Sequence, residues 1–223
     1  MLQKLNFHHF INFNESRNGD VQLKVYLDYR SRKRFMNDKK TELVIIGGSA
    51  GSLQVILDLI KNLDAELGFP ILLVVHRKAQ STSILPTLLE QFSKMRVEEV
   101  EDKSEMEKDC IYIVPADYHL LFESKKKVSL DASEKVNYSR PSIDVTFRSA
   151  AETFGENVVA ILLSGANADG VEGLQYIKRN EGQVWIQNPE TAEVDYMPKQ
   201  AMQNVEFDWL FEPKDLAEKV KSL

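Results

Sequence analysis

Cysteine is nearly absent: Cys110 stands alone in 223 residues. A single thiol excludes an intrachain disulfide and any cysteine cluster for zinc, and it suits a reducing compartment such as the cytoplasm. Long apolar runs are missing as well. A stretch such as Ile71–Val75, with Phe69 before it, falls far short of the roughly 20 residues a membrane helix needs. The N-terminus is too polar for a signal peptide, so no direct membrane insertion is expected. Nor is there a surplus of positive charge. Lys and Arg number 28 against 34 Asp and Glu, a net charge of −6. That balance argues against a nucleic-acid partner, which calls for a basic face. The charge is also unevenly spread: residues 1–40 hold nine basic and four acidic side chains, which leaves 41–223 at a net −11.

What is present suits one sizeable α/β domain, with 43% hydrophobic and 28% charged residues. Residues 1–40 differ from the rest and read as an N-terminal extension. Val21, Leu23, Val25 and Leu27 alternate with polar residues, as in a half-buried strand. Arg32-Lys33-Arg34 follows as solvated loop, and Met36 offers itself as the natural start. From 41 to 223 strand and helix alternate. Leu43–Ile46, Pro70–Val75, Val158–Leu163, Gln183–Gln187 and Phe207–Phe211 read as strands. Helical spacing runs over Ser52–Leu63, Ser81–Phe92, Pro141–Phe154, Val171–Lys178, Pro198–Gln203 and Pro213–Lys221. Continuous apolar strands joined by amphipathic helices predict a doubly wound, mainly parallel sheet flanked by helices. The short runs Ile111–Val114, His119–Phe122 and Val128–Leu130 predict an antiparallel insertion at the sheet edge.

Three loops carry candidate chemistry. Gly47-Gly48-Ser49-Ala50-Gly51 fits G-x-S-x-G between a buried strand and a helix, which would expose Ser49 as a nucleophile on a sharp turn. The same glycine-rich turn also suits a phosphate cradle, or a plain turn. His76 ends the strand Ile71–Val75, on the sheet edge where ligands of parallel α/β folds bind. It can serve as a general base or simply as a surface residue. His8, His9 and His119 do not end a core parallel strand and are set aside. Asp169, in the loop Ser164–Gly170 after Val158–Leu163, can orient His76 or cap the helix that follows it. The order Ser–His–Asp differs from the α/β-hydrolase, chymotrypsin and subtilisin orders.

With those residues placed, the chain from about Leu43 onward resembles the catalytic domain of the chemotaxis methylesterase (CheB) family. The resemblance rests on Ile46–Ser52, on His76 and on Leu163–Gly170. It rests also on Tyr112–His119, Arg140–Val145, Gln187–Ala192 and Met197-Pro198. It implies a protein-glutamate methylesterase with Ser49 as nucleophile, His76 as base and Asp169 orienting the imidazole. Glutamine deamidation is implied as a second activity. The backbone N–H groups of Ala50 and Ala166 are the implied oxyanion donors, and no cofactor or metal is called for. The implied partner is a methylated chemoreceptor or receptor-like signalling protein. The sequence departs from the family pattern at Ala166, where the family has methionine, and at Asn167 and Ser52, where it has glycine. Residues 1–40 are too short for the receiver domain that precedes the catalytic domain in typical members. Control by phosphorylation in cis is therefore not expected, and regulation would come from a partner in trans.

Overall fold

The computed structural model describes residues 40–77 and 84–223. The N-terminal extension, including the strand expected at Val21–Leu27, lies outside the described residues, as does the start of the helix expected from Ser81.

The first strand, β1 (Leu43–Gly48), leads through a tight turn into α1 (Leu53–Asn62), and β2 (Ile71–Val75) follows. Next come α2 (Leu85–Glu90), β3 (Arg96–Glu99) and β4 (Cys110–Ile113). A hairpin, β5 (His119–Phe122) and β6 (Val128–Asp131), precedes α3 (Ile143–Phe154) and β7 (Val158–Leu162). The chain ends with α4 (Val171–Arg179), β8 (Gln183–Gln187), α5 (Tyr196–Asn204), β9 (Trp209–Phe211) and α6 (Leu216–Lys221). Among the described residues, seven strands form one sheet in the order β3-β4-β2-β1-β7-β8-β9. Every pairing in it is parallel.

The central strands β1, β2 and β7 are continuous apolar runs because both faces of the sheet are covered there, whereas the edge strand β3 is polar and unburied. Alternate residues of β1 serve opposite layers. Leu43 and Ile45 pack with Phe147 and Ala150 of α3. Val44 and Ile46 pack with Ile56, Leu59 and Ile60 of α1.

Besides β3 (Arg96–Glu99), a polar edge strand absent from the sequence reading, two details differ from that reading. Cys110–Ile113 belongs to the parallel sheet, between β2 and β3, rather than to the antiparallel insertion. Its full burial is the physical reason, since a hairpin strand with one face in solvent would not bury all four residues. The antiparallel element is β5–β6 alone. It lies against α3, where the Phe122 N–H donates to Ser149 Oγ at 2.8 Å and Phe122 meets Phe154 edge to face at 5.0 Å. The second difference is the start of α3. Ser142 is its N-cap, accepting from the Val145 N–H at 3.4 Å, so Pro141 sits before the helix rather than in its first turn.

Strand order reverses around β1: the chain winds outward to β2, β4 and β3 on one side, and to β7, β8 and β9 on the other. The carboxyl ends of β2, β1 and β7 thus meet at the switch point, where open α/β sheets place their ligands.

Candidate active site

Ser49 follows the last residue of β1 at that switch point and is half-buried. Its turn is held on both sides. The Ser49 N–H donates to the Ser164 carbonyl at 2.9 Å, and the Ser52 N–H closes back on the Ser49 carbonyl at 3.1 Å. The Ser52 hydroxyl adds a bond to that same carbonyl at 2.7 Å. Gly51 takes φ +79°, a left-handed conformation that costs glycine nothing. A Cβ there would also sit 2.7 Å from Ser164 Oγ.

His76 lies on the neighbouring strand end. Its N–H donates to the Gly48 carbonyl at 3.1 Å, which fixes the imidazole-bearing residue beside the residue that precedes Ser49. The imidazole Nε2 lies 2.7 Å from Asp169 Oδ2. A carboxylate only accepts, so Nε2 carries a proton, and in the neutral ring the lone pair is on Nδ1. The Ser49 hydroxyl has no hydrogen-bond partner among the described residues.

Asp169 is 1% exposed and its carboxylate is saturated. Oδ1 accepts from the Ser142 hydroxyl at 2.8 Å and from the Asp144 N–H at 3.0 Å. Oδ2 accepts from the Ile143 N–H at 2.8 Å in addition to His76. The carboxylate therefore caps a helix, but it is α3 and not the α4 that follows it in sequence. Burial alone would raise its pKa, yet the hydrogen bonds from His76 and from the Asp144 and Ile143 N–H groups outweigh burial and hold it below the usual aspartate value. The helix N-terminus adds its own favourable field.

Behind this sits Asp144, whose Oδ1 accepts from the Gly170 and Gly173 N–H groups at 2.8 and 2.7 Å. Burial, opposed by the Gly173 bond and reinforced by the nearby Asp169 charge, raises its pKa to about 7.

Ser164 ties the loops together. Its hydroxyl donates to the Ala50 carbonyl at 2.8 Å and accepts from the Val194 N–H at 2.9 Å. Its own N–H donates to the buried Gln187 Oε1 at 3.0 Å. The Ala50 and Ala166 N–H groups have no acceptor among the described residues, and both residues are exposed. They are free to meet a developing negative charge. Ser142, Asp144, Ser164 and Gln187 lie inside segments that carried the sequence resemblance, but as supports they left no periodic or spacing signal. Among the described residues, no group of three or more His, Cys, Asp or Glu side chains is arranged to hold a metal, and no helix is long and apolar enough to cross a membrane.

A serine on a strand-to-helix turn, beside a carboxylate-bound imidazole on the next strand end, is the equipment of a serine hydrolase built on an α/β scaffold. The CheB methylesterase family model matches residues 44–220, and the chain belongs to that family. A Leptospira interrogans protein provisionally named protein-glutamate methylesterase/protein-glutamine glutaminase is 37% identical over 177 residues, covering 79% of this chain and 92% of that one. A Thermotoga maritima protein named protein-glutamate methylesterase/protein-glutamine glutaminase is 32% identical over 82% of this chain, which spans only 54% of that relative. The crystal structure of the Thermotoga maritima CheB methylesterase catalytic domain matches with a TM-score of 0.78 at 31% identity, over 82% of this chain and 98% of that one.

Proposed function

We propose that this chain hydrolyses glutamate γ-methyl esters on a chemoreceptor or receptor-like signalling protein, in the cytoplasm, with Ser49, His76 and Asp169 as its catalytic triad. The observation that carries the reading is the 2.7 Å contact of His76 Nε2 with Asp169, made one strand away from Ser49. Because Asp169 occupies Nε2, the base is Nδ1. No hydrogen bond joins the Ser49 hydroxyl to the imidazole among the described residues, and such bonds often tighten only around bound substrate.

Nδ1 takes the Ser49 proton as Oγ attacks the ester carbonyl, and Asp169 stabilises the imidazolium. The oxyanion settles toward the Ala50 and Ala166 N–H groups. The imidazolium gives its proton to the departing methoxide, releasing methanol. A water then attacks the acyl-enzyme with His76 again as base, freeing glutamate and Ser49. Glutamine would follow the same course with ammonia as leaving group. A phosphate cradle is the weaker reading, because the Ser49 and Ser52 N–H groups of the turn are already spent on protein carbonyls. The test is methanol release from methylated receptor. Wild type should release it and Ser49→Ala should not; equal release by both would refute the assignment.

A further inference from the structure

His119, set aside on sequence, is 1% exposed and sits two hydrogen bonds from Asp169. Its Nδ1 accepts from the Ser142 N–H at 3.0 Å. Its Nε2 lies 3.0 Å from the Glu134 carbonyl. An N–H donates to Nδ1 and a carbonyl receives from Nε2, so both partners are backbone groups and together fix one tautomer, with the proton on Nε2. Ser142 is the N-cap of α3, and its hydroxyl donates to Asp169 Oδ1 at 2.8 Å. The two residues after it supply the remaining N–H groups to the same carboxylate. The ring of His119 therefore anchors, by one bond, the residue whose turn presents three of the four donors that Asp169 receives. The fourth is His76.

We propose that His119 is a positioning residue for the hydrolytic reaction: by clamping the Ser142 N–H from the β5 strand, it sets the cap that aims the Asp169 carboxylate at His76. The proposal rests on the triad reading above. It assigns His119 no contact with substrate. A displacement of about an ångström at such a carboxylate is enough to cost on the order of 10²-fold in rate.

Two substitutions separate positioning from mere packing, since each keeps one of the two ring bonds. His119→Asn places an amide oxygen where Nδ1 was, keeping the acceptor for Ser142 and losing the bond to Glu134. His119→Gln places an amide nitrogen near Nε2, keeping the Glu134 bond and losing the Ser142 clamp. The readout is covalent labelling of Ser49 by a fluorophosphonate, resolved into the maximal inactivation rate and the half-saturating concentration, with Ser49→Ala as the blank. Retention of the wild-type rate to within about threefold in His119→Asn, with a fall of on the order of 10²-fold in His119→Gln at unchanged half-saturation, supports the proposal. Equal effects of the two variants, or an effect confined to half-saturation, overturn it while leaving the triad intact. Failure of wild type to label, or labelling of Ser49→Ala, overturns the triad reading and this proposal with it. A measurement free of folding risk uses the wild-type protein alone: the ¹⁵N resonance of His119 Nδ1 should be that of an unprotonated ring nitrogen and should shift when Ser49 is phosphonylated. A protonated or unmoved Nδ1 overturns the proposal.

Discussion

Asp144 and Asp169 cap each other's helices. Asp169, just ahead of α4, accepts the first N–H groups of α3. Asp144, in the first turn of α3, accepts the Gly170 and Gly173 N–H groups at the start of α4. Two helix N-termini thus face one buried carboxylate pair, and only one member of the pair touches an imidazole.

The pair makes stability depend on pH in two opposite senses. An unfolded aspartate titrates near ~3.9. Folded Asp144 holds its proton up to about 7, so its contribution to stability is fully present below the unfolded value and disappears as pH rises toward neutrality. Asp169 lies below its usual value, so its contribution is present above the unfolded value and is lost as pH falls through the folded one. Urea midpoints measured across this range should decline from about pH 4 to about pH 7, and Asp144→Asn should remove that decline while leaving the acid loss in place. A variant that keeps the wild-type slope would contradict the assignment to Asp144.

Asp169→Asn should cut ester hydrolysis by on the order of 10³- to 10⁴-fold. The amide can present its nitrogen to His76 and hold the wrong tautomer, with Nε2 as acceptor and the proton on Nδ1, where the base is needed. Binding of methylated receptor should change little. A variant with near-normal turnover would remove Asp169 from the mechanism.

Ser164→Ala should destabilise the domain by about 1 kcal/mol, because the half-buried Val194 N–H loses its acceptor. The same change removes one of two ties between the nucleophile turn and the loop after β7, the bond to the Ala50 carbonyl, and leaves the Ser49 N–H bond to the Ser164 carbonyl. Thermal unfolding and labelling of Ser49 should therefore worsen together. A lower Tm with an unchanged labelling rate would mean that Ser164 supports the fold but not the turn.

Much of the fold was legible because both faces of the sheet are covered. Runs such as Leu43–Ile46 and Val158–Leu163 carry strand identity in composition alone. Cys110–Ile113 has the same character, yet its neighbours β5 and β6 made it read as part of a hairpin. Period cannot assign a short apolar run to one sheet or another; pairing partners do. At the site, strand ends and loops pointed to Ser49, His76 and Asp169, because a sharp turn and a strand terminus leave local signatures. Asp169 also fitted a local cap, and only the three-dimensional arrangement shows it capping a helix that begins 26 residues earlier. His119 lies in a segment that carried the resemblance, but its role left no signature of its own, because it acts through a backbone N–H, which every residue but proline carries.

Gly165 is where sequence and packing agree most tightly, and it gives a sharp test. Its N–H donates to the Val194 carbonyl at 3.1 Å and its own carbonyl accepts from the Met197 N–H at 2.9 Å. The glycine is thereby wedged between α5 and the nucleophile. A Cβ would lie 2.5 Å from Met197 Cε, 2.7 Å from its Sδ and 3.1 Å from Ser49 Cβ. The methionine end is flexible, but it is fully buried, and the turn bearing Ser49 is fixed by the bonds described above. Gly165→Ala should therefore cost about 1–3 kcal/mol through overpacking and slow hydrolysis by displacing Ser49. Trimming the obstruction should relieve both effects, so Gly165→Ala with Met197→Ala should recover much of the lost hydrolysis relative to Gly165→Ala alone. If the double variant is no more active than Gly165→Ala, the damage comes from the Ser49 side of the wedge, and Met197 is not what confines the glycine.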